Sequence, residues 1–379
     1  MNVLHIINSL NVGGAENALV NLISADPGRN RHRVVSLTGD GPFAAPLQAR
    51  GVAVTALDFT RPLRLPREFV RLVRLLRGTP PDVVQTWMYH ADIIGGLASR
   101  LTMRRLPLVW GVRLTEVRAA GIKRRTRVLV RLAGLLSHWL PDAIVANADN
   151  SIASHGAYGY DTKKFRIVGN GFDTARFRPD PERRQAIRQR LGVADDTVLA
   201  GLIGRYSAQK DQDGFIAAAG EAARQAPGLT FLLCGRDIGA DNATIDGLVD
   251  RHGLRGRIHL LAERTDVEQV FAGLDIYVSA SRAEGFPNVV AEAMACGLPC
   301  VVTDVGNCRE LVGDTGLVCP PGDPGALAAA MTTLAAMTPA ERAAMGQRAR
   351  AIVERGHSRE RMLEGFEAVW DEVARAPAG

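Results

Sequence analysis

The chain has 379 residues, 46% of them hydrophobic and 23% charged, with 39 glycines and only 5% aromatics. That length has room for two domains with separate cores, and the balance is that of a globular α/β protein with many tight turns, not a disordered or fibrous chain. The formal charge of +6 does not mark a nucleic-acid binder, because the basic residues gather in two helical stretches with few aromatics between them. An anionic substrate or a membrane face fits that charge better.

In chain order, MNVLHIINSL reads as a first buried strand and not as a leader, which places the chain in the cytoplasm. The turn NSLNVGG then feeds a helix, AENALVNLISA. Strands HRVVSL and VAVTAL, helix PREFVRLVRLLRG, strand DVVQTW, helix ADIIGGLASRL and strand PLVWGV follow, then a basic helix over 122–139 and strand DAIVAN. No window reaches about 18 uninterrupted apolar residues, since Arg131, His138 and Asp142 break the longest stretch. Alternation of strand and helix predicts a parallel sheet covered on both faces.

The Gly-rich run 163–179 interrupts the pattern and reads as a domain boundary. A second round begins with TVLAGLIGR and runs through LTFLLCG, RIHLLA, DIYVSAS and PCVVTD to GLVCP, with helices between. Three helical stretches without a strand close the chain. The reading is an α/β fold of two Rossmann-like doubly wound domains, 1–171 and 172–356, facing across a cleft, with a last helix over about 357–379 crossing back to the first. Five cysteines, Cys234, Cys296, Cys300, Cys308 and Cys319, form no CxxC pair and no zinc-type spacing. They read as buried thiols in a reducing compartment, and no metal site is expected.

Gly13 and Gly14 fall in the turn before a helix, whose unpaired N–H groups suit a phosphate, although a tight turn alone would look the same. No GxGxxG fingerprint is present, which removes the main support for a nicotinamide site. Arg205 and Lys210 follow a predicted strand, at the end where α/β sheets bind ligands. A guanidinium fork and an ammonium point charge suit a diphosphate there, and the alternative is two solvated loop cations. Glu284 and Glu292 flank a Gly-Phe-Pro turn and the start of a helix near Asn288. The loop carboxylate could accept hydrogen bonds from a sugar, the helical one from ribose hydroxyls, and the helix end could meet phosphate.

Taken together these segments resemble the retaining glycosyltransferases of the GT-B fold, family 4, whose signature is a Glu-x7-Glu pair. The matching stretches are GGAE (13–16), IVAN followed by NGFD (170–173), GR with its downstream lysine, EGFPNVVAE (284–292) and DVGNCRELV, in the family's order. The resemblance implies that Arg205 and Lys210 neutralise the donor's diphosphate, that Glu284 contacts the transferred sugar and that Glu292 binds the ribose. Backbone around Phe286, Pro287, Asn288 and Val289 would complete the donor site, with no metal or other cofactor. It also implies a functional His90, though the local pattern departs from the commoner His-x-His and a packing histidine would fit as well. Gly306-Asn307 replaces the family's frequent Gly-Gly, so Asn307 is given no role.

Trp110, Arg113 and Glu116, at the next strand end, are candidate acceptor contacts or ordinary loop residues. Lys123, Arg124, Arg125, Arg127 and Arg131, with Leu129, Leu132, Leu135, Leu136 and Trp139 at helical spacing, could lie on an anionic membrane or face water on a packed helix. The implied reaction moves a hexose-type group from a nucleoside diphosphate sugar to a hydroxyl of a glycan or lipid-linked acceptor with retention, in polysaccharide or envelope glycan assembly. A 2-epimerase of the same architecture and a noncatalytic nucleotide-sugar binder are the alternatives.

Overall fold

The computed structural model describes residues 1–113, 124–239 and 241–375. It divides into two compact units, residues 1–171 with 359–379 and residues 172–358. Unit 1 begins with β1 (Asn2–Ile7), α1 (Gly14–Ala25), β2 (Arg31–Ser36), α2 (Ala44–Ala49), β3 (Ala53–Ala56), α3 (Leu65–Gly78), β4 (Val83–Trp87) and α4 (Tyr89–Arg100). It continues with β5 (Leu108–Val112), α5 (Arg124–Leu136), β6 (Ala143–Ala146), α6 (Asn150–Gly156) and β7 (Phe165–Ile167). Unit 2 holds α7 (Pro181–Leu191), β8 (Val198–Ile203), α8 (Gln212–Gln225), β9 (Leu229–Cys234), α9 (Ala243–Arg251), β10 (Ile258–Leu261), α10 (Val267–Gly273) and β11 (Ile276–Ser279). Then come α11 (Asn288–Ala295), β12 (Cys300–Thr303), α12 (Cys308–Val312), β13 (Gly316–Cys319), α13 (Pro324–Ala336) and α14 (Pro339–Gly356); α15 (Arg359–Arg375) returns to unit 1.

Both sheets are parallel, in the orders β3-β2-β1-β4-β5-β6-β7 and β10-β9-β8-β11-β12-β13. Every residue of β4 and β5 is buried, as expected of central strands covered on two faces, whose sequences read as continuous runs and not as alternation. In each sheet the chain starts at the centre, winds outward, then returns to the other side of its first strand. The direction therefore reverses between β1 and β4 and between β8 and β11, and loops at the carboxyl ends of those strands splay apart into a crevice.

The run 163–179 is more than a boundary. It contains β7, which pairs with β6 from Ile144↔Phe165 to Ala146↔Ile167 and completes the first sheet. Three edge residues carry no pattern of their own; pairing with β6 makes them a strand.

α15 packs with α1 on one face of the first sheet, burying Phe366 and Trp370 beside Leu19, Leu22 and Trp87. Trp370 Nε1 donates to Gln85 Oε1 at 3.1 Å. Beneath it Trp87 Nε1 donates to His5 Nδ1, which leaves His5 Nε2 to donate to His32 Nδ1 at 2.9 Å and His32 Nε2 to donate to Asp26 Oδ2 at 3.0 Å. Burial lowers the pKa of both imidazoles, which suits this neutral chain of donors and acceptors.

Candidate functional site

In unit 2 the residues singled out from sequence sit on the loops that flank the β8/β11 crevice. The loop after β8 leaves the sheet at Gly204 and carries Arg205 and Lys210 before α8. Gln212 Nε2 donates to the carbonyls of Gly204 and Arg205, at 3.3 and 2.7 Å, which fixes the loop. Gly235, at the end of β9, lies so close that a Cβ there would stand 2.1 Å from the Gly204 oxygen; glycine is what lets the two loops touch.

The loop after β11 brings Glu284 to the same place. Lys210 Nζ lies 2.5 Å from Glu284 Oε1, and Ser281 Oγ donates to the same oxygen at 2.6 Å. The Glu284 side chain is 8% exposed and that of Lys210 22%, a partly dry setting in which the pair is stronger than on an open surface. Gln209 Nε2 donates to the Ala283 carbonyl, and Arg282 pairs with Asp211 at 2.9 Å, so the two loops are laced together. Gly306, with φ of 54°, approaches from the end of β12, where a Cβ would come within 2.6 Å of the Glu284 and Gly285 oxygens. Arg205 is exposed on the same loop, and its guanidinium has no partner among the described residues.

α11 opens at Asn288 behind the Pro287 cap. Phe286 stacks on Phe172 with ring centroids 6.0 Å apart, which holds the Gly-Phe-Pro turn against unit 2. Glu292 lies one turn into α11, and burial pushes its carboxyl up to about 7 against the pull of the Arg176 and Lys210 charges. No hydrogen-bond donor reaches it among the described residues. The loop after β11 and the helix that follows it thus carry two carboxylates of different kind: Glu284 held by a lysine, and Glu292 raised to about 7 by burial.

In unit 1 the β1/β4 crevice receives the turn with Gly13 and Gly14, which caps and opens α1, and His90 in the first turn of α4, whose imidazole pKa is lowered by desolvation. Met88, just before that helix, holds a φ of 72°, uncommon outside glycine. Arg113 follows β5 and turns inward. Glu116 lies outside the described residues. Trp110 corrects the expectation of an acceptor contact: it is 0% exposed and packs inside the core with Leu108 and Leu140. Gln209 and Gly235 were not singled out from sequence, because each acts through a neighbour distant along the chain, and Ser281, three residues before Glu284, belongs to no motif of its own.

Two doubly wound units, each with candidate residues at its own switch point, define a protein of the GT-B fold. Residues 12–176 match Glycosyltransferase Family 4, and residues 197–337 match Glycosyl transferases group 1. The chain belongs to this family of group 1, family 4 glycosyltransferases. Among curated relatives, D-inositol 3-phosphate glycosyltransferase of Kineococcus radiotolerans is 33% identical over 228 residues, 55% of this chain and 52% of that protein. The lipopolysaccharide core biosynthesis mannosyltransferase LpsB of Rhizobium meliloti is 31% identical over 184 residues, 47% of this chain and 50% of that protein. The chain thus spans about half the length of these curated relatives. Among solved structures, Anabaena Alr3699/HepE in complex with UDP superimposes over 98% of this chain and 100% of its own, with a TM-score of 0.86 at 25% identity. WaaG, a glycosyltransferase involved in lipopolysaccharide biosynthesis, superimposes over 99% and 100% with a TM-score of 0.70 at 18% identity, a likeness of fold alone.

Proposed function

We propose that this chain transfers a hexose-type sugar from a nucleoside diphosphate sugar to an acceptor hydroxyl with retention at the anomeric carbon, in polysaccharide or envelope glycan assembly. The observation that carries this reading is the Lys210–Glu284 pair at the β8/β11 switch point, with Arg205 unpaired beside it and Glu292 a short step along α11. In this reading the incoming diphosphate takes Lys210 and Arg205, which neutralise charge where it grows as the leaving group departs. Glu284 then faces the sugar and Glu292 the ribose. The acceptor oxygen bonds to the anomeric carbon on the face from which the phosphate oxygen leaves, and that departing oxygen takes the acceptor proton. His90 supplies a neutral imidazole for a sugar or acceptor hydroxyl. In this reading Lys210 and Arg205 do the work a divalent ion would do, and no metal is required.

HepE is described in complexes with UDP and with UDP-glucose, which makes uridine nucleotides the first donors to try. A thermal-shift panel of nucleoside diphosphates and their sugars, without divalent metal, tests the reading on wild type and on Arg205→Ala with Lys210→Ala. A stabilising nucleotide is expected, with its shift lost in the double variant. Nucleotide binding without transfer to any acceptor would favour the noncatalytic reading, and donor turnover without acceptor the epimerase.

The acceptor side of the proposal is a glycan or lipid-linked molecule met at an anionic membrane face. α5 supports it: Arg124, Arg125, Arg127 and Arg131 stand on a helix without a carboxylate, and Val128 and Trp139 are 62% and 65% exposed. No helix among the described residues is long and apolar enough to cross a membrane, so the contact would be peripheral.

A further inference from the structure

The residues that follow β5 and β6 carry buried polar side-chain atoms with no hydrogen-bond partner among the described residues. Val112 of β5 stands opposite Ala146 of β6, and Ala146 opposite Ile167 of β7. The next residues along, Arg113, Asn147 and Val168, therefore lie side by side, on the face where Val109, Val145 and Val168 pack with α15. Arg113 reaches across β6: its Nη1 donates to the Val168 carbonyl at 3.3 Å and to Asn170 Oδ1 at 3.0 Å. Its guanidinium lies 5.0 Å from the centre of the Trp87 ring and 5.2 Å from that of Phe366. Nε and Nη2 are buried without a hydrogen-bond partner among the described residues, and so is Oδ1 of Asn147, just past the strand that Arg113 crosses.

The unpaired edge is the one that grips carboxylates elsewhere in this molecule. Nε and Nη2 of Arg166 hold Glu372, and the same two nitrogens of Arg236 hold Glu263. Among the described residues, no carboxylate fills that fork of Arg113. Burial depresses its pKa to about 9. The two aromatic faces recover part of the lost hydration, but two N–H groups stay without a partner among the described residues.

We propose that Arg113 and Asn147 form an anion subsite for an acceptor that carries a carboxylate or phosphate next to a hydroxyl. The Nε and Nη2 edge takes two oxygens of the anion, and Asn147 Oδ1 accepts the hydroxyl proton. This deepens the transferase reading and rests on it for the word acceptor, though the binding itself does not.

The test uses the full chain saturated with UDP, so that the diphosphate site is filled, and measures melting shifts with D-glucose, D-glucuronate and D-glucose 6-phosphate. At least one anionic sugar is expected to stabilise the wild type where glucose does not. Glucuronate alone would point to a uronic acid, glucose 6-phosphate alone to a phosphorylated acceptor. Arg113→Gln should weaken that binding about tenfold or more, with partial rescue in Arg113→Lys. Should Arg113→Gln fail to fold, Asn147→Asp decides: a fixed carboxylate beside the fork should leave melting unchanged or raised and abolish the anionic preference. The proposal is overturned if the anionic sugars bind no better than glucose, or if either variant keeps the preference, for then the unpaired atoms hold an internal water. A wild type that UDP fails to stabilise would count against the transferase reading instead, and the sugars measured without UDP would then judge the subsite alone.

Discussion

Glu292 is the residue at which the needs of the fold and of the site part company. Its carboxyl is held at about 7 by burial, well above the range of an exposed glutamate. The folded state therefore keeps a proton that the unfolded chain gives up, and stability falls as pH rises from the unfolded value through about 7. Glu292→Gln, which cannot ionise, should raise the melting temperature relative to wild type more at pH 8 than at pH 5. Nucleotide affinity should run the opposite way: if the ionised carboxylate accepts the ribose hydroxyls, wild-type binding weakens as pH drops below 7, while the variant binds weakly at every pH. A wild-type affinity that is flat across that range would remove Glu292 from the ribose. At this scale sequence carries residue type and spacing but not direction. Trp110 at a strand end reads alike whether it faces solvent or core, and it is the central place of β5, covered on both faces, that buries it with Leu108. The Lys210–Glu284 pair joins positions 74 apart, so no local pattern could announce it.

Among the elements, legibility followed the strength of the repeat. β8 is a run of apolar residues bounded by turns, and α8 and α13 carry Asp caps whose side chains accept from Gly214 and Ala326, a start signal visible in sequence. β7 and α12 carry too few residues to show a period. The apolar and basic positions of α5 were visible too, but only the structure separates them. Val130 and Ala133 turn into the core, while Val128, Leu132 and Leu135, with Trp139 just past the helix end, stay outside. That outward set, rimmed by arginines, leads to a prediction for the element alone: co-flotation with vesicles rich in phosphatidylglycerol at low salt, little with phosphatidylcholine alone, and loss of flotation on Leu132→Asp with Leu135→Asp. Equal flotation of the double variant would mean that α5 is a solvated helix and nothing more.

For the whole molecule, the order of strands matters more than any single motif. Both sheets reverse direction beside their first strand, and that is why glycine turn, histidine, cations and carboxylates from distant segments arrive at strand ends where ligands bind. The discontinuity of unit 1 is the other global feature. Trp370 and Phe366 of α15 are wholly buried, so Trp370→Ala should cost about 3–5 kcal/mol and lower unit 1's calorimetric transition by roughly 10 °C. An unmoved transition would show that α15 lies outside that unit's cooperative core.

That same discontinuity sets an order of events on the ribosome. When synthesis has reached Ser358, every strand and helix of unit 2 is already made, whereas unit 1, begun first, still lacks the helix that covers Trp87, Leu19 and Leu22. The half of the protein that is translated first is thus finished last. Through most of translation its open apolar face is what a nascent-chain chaperone would find to hold.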